Sequence, residues 1–159
     1  MKKSIFIFTF LLFNINLNAS IPVSPIPIEK QEHLLKSHDP KLAENKKLVY
    51  DFYRIILYGL RLEQVPKYMR EDYIQHNPNV ETGMNGFIDF FKKLGGPRTI
   101  PNFIANLVSI QAEGDYVTMS FVNNRQTSGS NKESYTTTWF DMFRIQDGKI
   151  AEHWDCDTK

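Results

Sequence analysis

The spacing of apolar residues changes once along this chain, and that change limits the fold more than any other feature. Before Pro101 apolar residues recur at three- and four-residue intervals; after it they alternate with polar ones, the patterns of a helical face and of a half-buried strand. Asp39 is placed to cap a helix opening at Pro40, in which Leu42, Val49, Phe52, Ile56 and Leu60 share a face, so a helix is predicted from about Pro40 to Tyr58. Leu62 to Met69, entered through Pro66, reads as a second helix or a partly irregular stretch, because Pro66 lacks an N–H. Thr82 is predicted to cap a third helix bearing Met84, Phe87, Ile88, Phe91 and Leu94, ended by Gly95-Gly96-Pro97. Four strands follow in sequence: Ile104 to Gln111, Tyr116 to Asn123, Ser134 to Ile145 and Lys149 to Asp155. Helices first and consecutive antiparallel strands afterwards predict an α+β domain with one sheet face covered by the helices.

Composition removes several function classes. The chain's 159 residues leave room for one domain. Its 19 basic and 18 acidic residues give no case for a nucleic-acid binder, and Lys46-Lys47 and Lys92-Lys93 are too short to count as basic patches. A single cysteine, Cys156, excludes an intrachain disulfide framework and a thiolate zinc cluster; it stays free or joins two chains. Nucleophile-elbow, phosphate-loop and dinucleotide motifs are absent. Lys2 and Lys3 precede the apolar run Ile5 to Phe13, and Leu17-Asn18-Ala19 precedes Ser20, so residues 1–19 read as a secretory signal peptide, too short in its apolar part for a permanent membrane span. An exported product, periplasmic or secreted, is expected; losing Lys2 and Lys3 leaves 17 basic against 18 acidic residues, a net charge of −1. Residues 20–39, with Pro22, Pro25 and Pro27, are expected to be an extended spacer before a domain over 40–159. His33 and His38 fall in this polar stretch and read as solvated.

The last hairpin decides which polar side chains share a face, because a slip of one residue sends a whole strand's side chains to the opposite side. A two-residue primed turn at Asp147-Gly148 pairs Gln146 with Lys149, sets Asp141 opposite Trp154 and Phe140 opposite Asp155, and splits the carboxylates between faces. A three-residue loop over Gln146-Asp147-Gly148, with Gly148 left-handed in a bulge, pairs Ile145 with Lys149, sets Asp141 opposite His153 and Trp139 opposite Asp155, and places Phe140, Met142, Ile150 and Trp154 on the other face. The second register is preferred because it gathers Trp139, Asp141, His153 and Asp155. Under covering helices such a face becomes a cleft, where desolvation raises a carboxylate pKa toward the range useful to a general base. The plainer alternative is an ordinary Asp141–His153 cross-strand pair at a half-exposed edge.

Tyr73-Ile74-Gln75-His76-Asn77-Pro78, together with the block Asp141-Met142-Phe143-Arg144-Ile145-Gln146-Asp147-Gly148-Lys149-Ile150 running into Glu152-His153-Trp154-Asp155, resembles the SnoaL-like polyketide cyclase family of the nuclear-transport-factor-2-like superfamily, which also holds ketosteroid isomerase. The likeness spans about Lys41 to Asp157. It implies a cone-shaped curved sheet wrapped around N-terminal helices, a pocket inside the cone and commonly a homodimer. It further implies that Asp155 matches the acid/base residue of an aldol-type ring closure and that Asn77 matches a pocket asparagine. Asp141 and Trp139 stand where characterised cyclases carry a pocket histidine and a pocket glutamine.

Together these readings name Asp155 as candidate base, His153 and Asp141 as its catalytic neighbours, and Asn77, His76, Trp139 and Tyr73 as substrate-binding residues. A carboxylate in an apolar cavity can take a proton from carbon beside a carbonyl if nearby donors stabilise the enolate; Asn77, His76 and His153 are candidates for that, and Asp141 can orient His153. No cofactor is required. His76, Asp141, His153 and Asp155 are also an ordinary metal-ligand set, though the close-spaced two-histidine motif is missing. Phe52, Tyr53, Phe87 and Phe91 suit a small, flat apolar ligand as well as simple core packing. The expected function is therefore acid/base catalysis on a small carbonyl compound, by a cyclase or an isomerase. The alternative is a non-catalytic ligand-binding or interaction module of the same fold.

Overall fold

The computed structural model describes residues 21–128, 130 and 132–158, and the predicted signal peptide lies outside the described residues. Helices α1 (Gln31–Leu34), α2 (Pro40–Phe52), α3 (Val65–Tyr68) and α4 (Met84–Lys92) accompany strands β1 (Met69–Gln75), β2 (Leu107–Glu113), β3 (Tyr116–Gln126), β4 (Ser134–Gln146) and β5 (Lys149–Asp155). The strands form one curved, unclosed sheet in the order β1-β5-β4-β3-β2. Among the described residues no helix is long and apolar enough to cross a membrane.

Asp39 caps α2 as predicted, its carboxylate accepting from Lys41 N at 2.8 Å, and the helix then widens into a π-helical segment over Tyr53–Tyr58. The apolar stripe of this element lies on the concave side of the sheet. Val49, Phe52, Tyr53 and Ile56 are buried there with Met119, Phe121 and Phe143. Phe52 meets Phe87 and Phe143 with ring centroids 5.7 and 6.0 Å apart.

The sheet has a fifth strand and is mixed: β1 runs parallel to β5, with a register shift between Met69 and Ile74. Its sequence, Met-Arg-Glu-Asp-Tyr-Ile-Gln, has too few apolar residues to read as a strand, and only Met69 and Tyr73 reach the core. Thr82 does not cap α4. Gly83, at φ 87°, is the N-cap, a conformation costly for a residue with a Cβ. Thr82 instead ties the helix entry to β1, its hydroxyl donating to Tyr73 O and accepting from Gln75 N, each at 3.1 Å.

Residues 22–27 are extended but are not a free spacer. Val23 N donates to Thr136 Oγ1 and Ile26 N to Leu107 O, both at 2.7 Å. Gln31 is buried; it donates to Ile104 O at 2.8 Å and accepts from Ile104 N at 3.1 Å and from the Tyr50 hydroxyl at 2.7 Å. The packed unit thus begins near Ile26 rather than at Pro40, because the residues between the prolines keep enough N–H groups to dock the strap. Gln31→Ala leaves a buried hydroxyl and a buried amide unpaired, a loss expected to cost about 2 kcal/mol. Urea denaturation checks this, and an unchanged midpoint contradicts it.

The closing hairpin combines features of both registers. Asp147 (φ 53°) and Gly148 (φ 70°) make the two-residue primed turn, pairing Gln146 with Lys149. Ile145 pairs with Ile150 and Arg144 with Glu152, so Ala151 is an extra residue on β5. That bulge restores the parity the turn alone would have lost. Asp141 lies opposite Asp155 and Phe143 opposite His153, in place of the predicted Asp141–His153 and Trp139–Asp155 pairs. Ile150, before the bulge, is buried in the core rather than sharing a face with Phe140 and Trp154.

Candidate functional site

A cavity of about 270 Å3 lies between the sheet's concave face, the π-helical end of α2 and α4. Its apolar wall is mainly aromatic, built by Phe52, Tyr53, Phe87, Phe90, Phe91 and Phe143 with Leu57 and Val80. Its polar wall comes from three adjacent strands: Tyr73, Gln75 and Asn77 on and just beyond β1, His153 and Asp155 on β5, and Trp139 and Asp141 on β4. Strand alternation explains the selection, since these residues all have the parity that faces the helices.

The hydrogen bonds assign most of the protons. Asn77 N, which can only donate, reaches Gln75 Oε1 at 3.0 Å, so the Gln75 amide nitrogen points to the Tyr73 hydroxyl at 2.9 Å. Gln75 Oε1 also lies 2.9 Å from His153 Nδ1. Because that oxygen accepts, Nδ1 must carry the proton. The other ring nitrogen, Nε2, faces Asp141 Oδ1 at 3.3 Å, and the same oxygen accepts from Trp139 Nε1 at 2.9 Å. One further proton is therefore shared by His153 and Asp141. Asp141 Oδ2 has no hydrogen-bond partner among the described residues.

Asp155 is held differently. Its Oδ2 accepts from Asn77 Nδ2 at 2.7 Å and its Oδ1 from Asp157 N at 2.9 Å, while His153 Nδ1 stands 4.0 Å away. Asn77 thus orients the Asp155 carboxylate instead of standing free to meet an enolate. Burial pushes the Asp141 carboxyl above its ordinary pKa, partly opposed by its hydrogen bond to His153 and by the charge of that ring, and reinforced by Asp155. Burial also raises Tyr73, so its hydroxyl stays protonated.

Six of the seven residues named from sequence, Tyr73, Asn77, Trp139, Asp141, His153 and Asp155, line this one cavity. His76 does not. It sits on the convex side, stacked on Trp154 at 4.8 Å and bonded through Nε2 to Glu152 Oε1 at 2.7 Å, because its parity is opposite to that of Gln75 and Asn77. Gln75 is a cavity residue not expected from the sequence, and its two-residue spacing from Tyr73 and Asn77 is the signal that marks it. Asp141, His153 and Asp155 each offer a ligand atom within 4.8 Å of the others, so the trio has the donors for a cation. Trp139, Asn77 and Asp157 already direct N–H groups at three of the four carboxylate oxygens, and such donors repel a cation.

A candidate polyketide cyclase from Acidithiobacillus ferrooxidans shares 16% identity with the chain at a TM-score of 0.52, over 76% of this chain and 90% of that one. A candidate SnoaL-like polyketide cyclase from Jannaschia sp. CCS1 shares 17% at a TM-score of 0.52, with the same coverage. At these identities the likeness speaks for the fold alone. No curated protein matches the sequence. The model of one family, SnoaL-like polyketide cyclase, matches residues 47–159, from within α2 through the strands that build the cavity's polar wall, and the chain belongs to that family.

Proposed function

We propose that the protein is a cofactor-free acid/base enzyme that acts on a small apolar carbonyl compound, as an aldol-type cyclase or an isomerase. The observation carrying this reading is the presence of two carboxyl groups with unlike hydrogen-bond partners around one aromatic cavity: Asp155 bonded by N–H donors on both oxygens, and Asp141 bonded by Trp139 and His153 on one oxygen only. Unlike environments of this kind separate the tasks of base and acid. Asp155 takes a proton from the carbon beside the carbonyl, and the electron pair of the broken C–H bond moves to the carbonyl oxygen. The proton held between His153 Nε2 and Asp141 Oδ1 is donated to that oxygen. In an isomerase Asp155 then gives its proton to another carbon while the enol proton returns to the His153–Asp141 pair; in a cyclase the enol carbon attacks a second carbonyl, the enol proton returns to that pair, and Asp155 protonates the new alkoxide. Incubation with 1-tetralone and related bicyclic ketones in D2O, followed by NMR, is expected to give deuterium at the carbon beside the carbonyl faster than buffer alone. Ligand binding without exchange across the panel would favour the non-catalytic module.

Export and dimerisation belong to the same reading. The leader pattern of residues 1–19 supports a periplasmic or secreted protein, and the exposed Ile74, Tyr116 and Phe140 on the convex face of the sheet support a homodimer. Protein recovered from its own cells is expected to begin at Ser20 and to sediment as a dimer. A chain retaining Met1, or a monomer, contradicts the respective part.

A further inference from the structure

A second cavity, of about 290 Å3, abuts the first: Tyr53, Trp139 and Asp141 line both. Its character is different. Beyond the shared wall it is lined by Tyr58, Asn106, Asn123 and Arg125 as well as Phe121 and Val122. The inward-facing residues of β3 grade from apolar to charged toward the mouth, with Met119 and Phe121 buried, Asn123 half-buried and Arg125 exposed.

Arg125 differs from the arginines that form ion pairs. Arg54, Arg70 and Arg144 each contact a carboxylate, whereas Arg125 has none within 4.0 Å among the described residues. With its amide oxygen turned toward Arg125, Asn123 accepts from Nε and Nη2 at 3.2 Å each. That bond occupies one edge of the guanidinium and orients it, leaving the Nη1/Nη2 edge for a bidentate acceptor. The acid that feels Arg125, Asp157, is engaged by Asn79 Nδ2 at 3.0 Å and by Asn77 Nδ2 at 3.3 Å. On the far wall the Tyr58 hydroxyl donates to Asn106 Oδ1 at 3.0 Å, and Asn106 Nδ2 donates to Val122 O at 3.4 Å.

We propose that this second cavity is an anion subsite, and that the ligand of the site is a carbonyl compound carrying a carboxylate. Its apolar body fills the aromatic cavity, its carbonyl lies near Asp141 at the junction, and its carboxylate meets the Nη1/Nη2 edge of Arg125. Neither cavity alone reaches the usual size of a small-molecule site, roughly 300–1,000 Å3, and the two joined do. The proposal rests on the reading of the first cavity as a ligand site. Its test therefore reads binding, not turnover.

The probe is a matched pair, 2-naphthylacetate and its uncharged amide, titrated while following the fluorescence of Trp139, with Trp154→Phe removing the other indole. The acid is expected to bind at least tenfold more tightly than the amide. Arg125→Gln is expected to abolish that preference and leave amide affinity within twofold, Arg125→Lys to keep part of it, and added NaCl to shrink it. Equal binding of acid and amide, absence of acid binding at millimolar concentration, or a preference unaltered in Arg125→Gln overturns the proposal. Amide binding without an acid preference overturns the anion subsite alone, whereas failure of both probes to bind removes the ligand-site reading as well, so the two failures are distinguishable.

Discussion

Asp155→Asn is expected to reduce enzyme-dependent deuterium exchange by about 10²–10⁴-fold, the range general acid–base catalysis contributes, with the far-ultraviolet circular dichroism unchanged. The substitution keeps the size of the side chain and removes the lone pair that would take the proton. It turns one acceptor into a donor beside Asn77 Nδ2 or Asp157 N, now at 2.7 and 2.9 Å, so one hydrogen bond of this side chain is lost. The inner network does not depend on it, because His153 Nδ1 bonds to Gln75 and Nε2 faces Asp141. Stability should consequently fall far less than activity. Exchange at the wild-type rate would remove Asp155 as the base.

Asp141→Ala is expected to lower kcat/KM by about 10²–10³-fold, the cost of deleting one donor to a developing oxyanion. Asp141→Asn keeps a donor, should lose less, and should flatten the alkaline limb of the pH–rate profile, since an amide has no proton to give up. The same carboxyl controls a stability slope whose sign follows from its environment. Burial raises Asp141 above its ordinary 3.8, so the folded protein holds this proton more tightly than the unfolded chain. Its contribution is therefore most favourable below 3.8, declines as pH rises to the raised folded value, and is constant beyond. Each unit of upward displacement corresponds to about 1.4 kcal/mol. Glu152, held low chiefly by His76 and Arg144, and Asp157, held low chiefly by Asn79, push the other way in both proteins. The difference between wild type and Asp141→Asn isolates Asp141. Urea midpoints at pH 4 and pH 7 should show the variant gaining on the wild type as pH rises. A variant that loses ground at pH 7 would contradict the assignment.

The closing hairpin shows how far local pattern reaches. Its residues alternate cleanly enough for Trp139, Asp141, His153 and Asp155 to be gathered on one face, and in the fold they line one cavity. The route to that face differs from the expected one, because a primed turn plus a bulge at Ala151 conserves parity as well as a three-residue loop does. Facing partners consequently moved by two residues while the face stayed the same. His76 failed for a related reason. It lies beside Asn77 in the chain, yet on a strand neighbours point apart, and only the pairing of β1 with β5 tells which of them turns inward.

What the amino-acid order determined by itself was whatever depends on neighbours a few residues apart: the Asp39 cap, the helical stripe through Phe52, the alternating strands after Pro101 and the family's terminal block. What the tertiary structure alone decided was whatever depends on partners far along the chain. β1 is a strand because β5, some 80 residues later, offers it an edge, and the proline-rich strap is packed because Thr136, Leu107 and Ile104 meet its polar groups. The charge states around Asp141 belong to this second class, since desolvation is a property of the enclosing cavity and no residue carries it in its own chemistry.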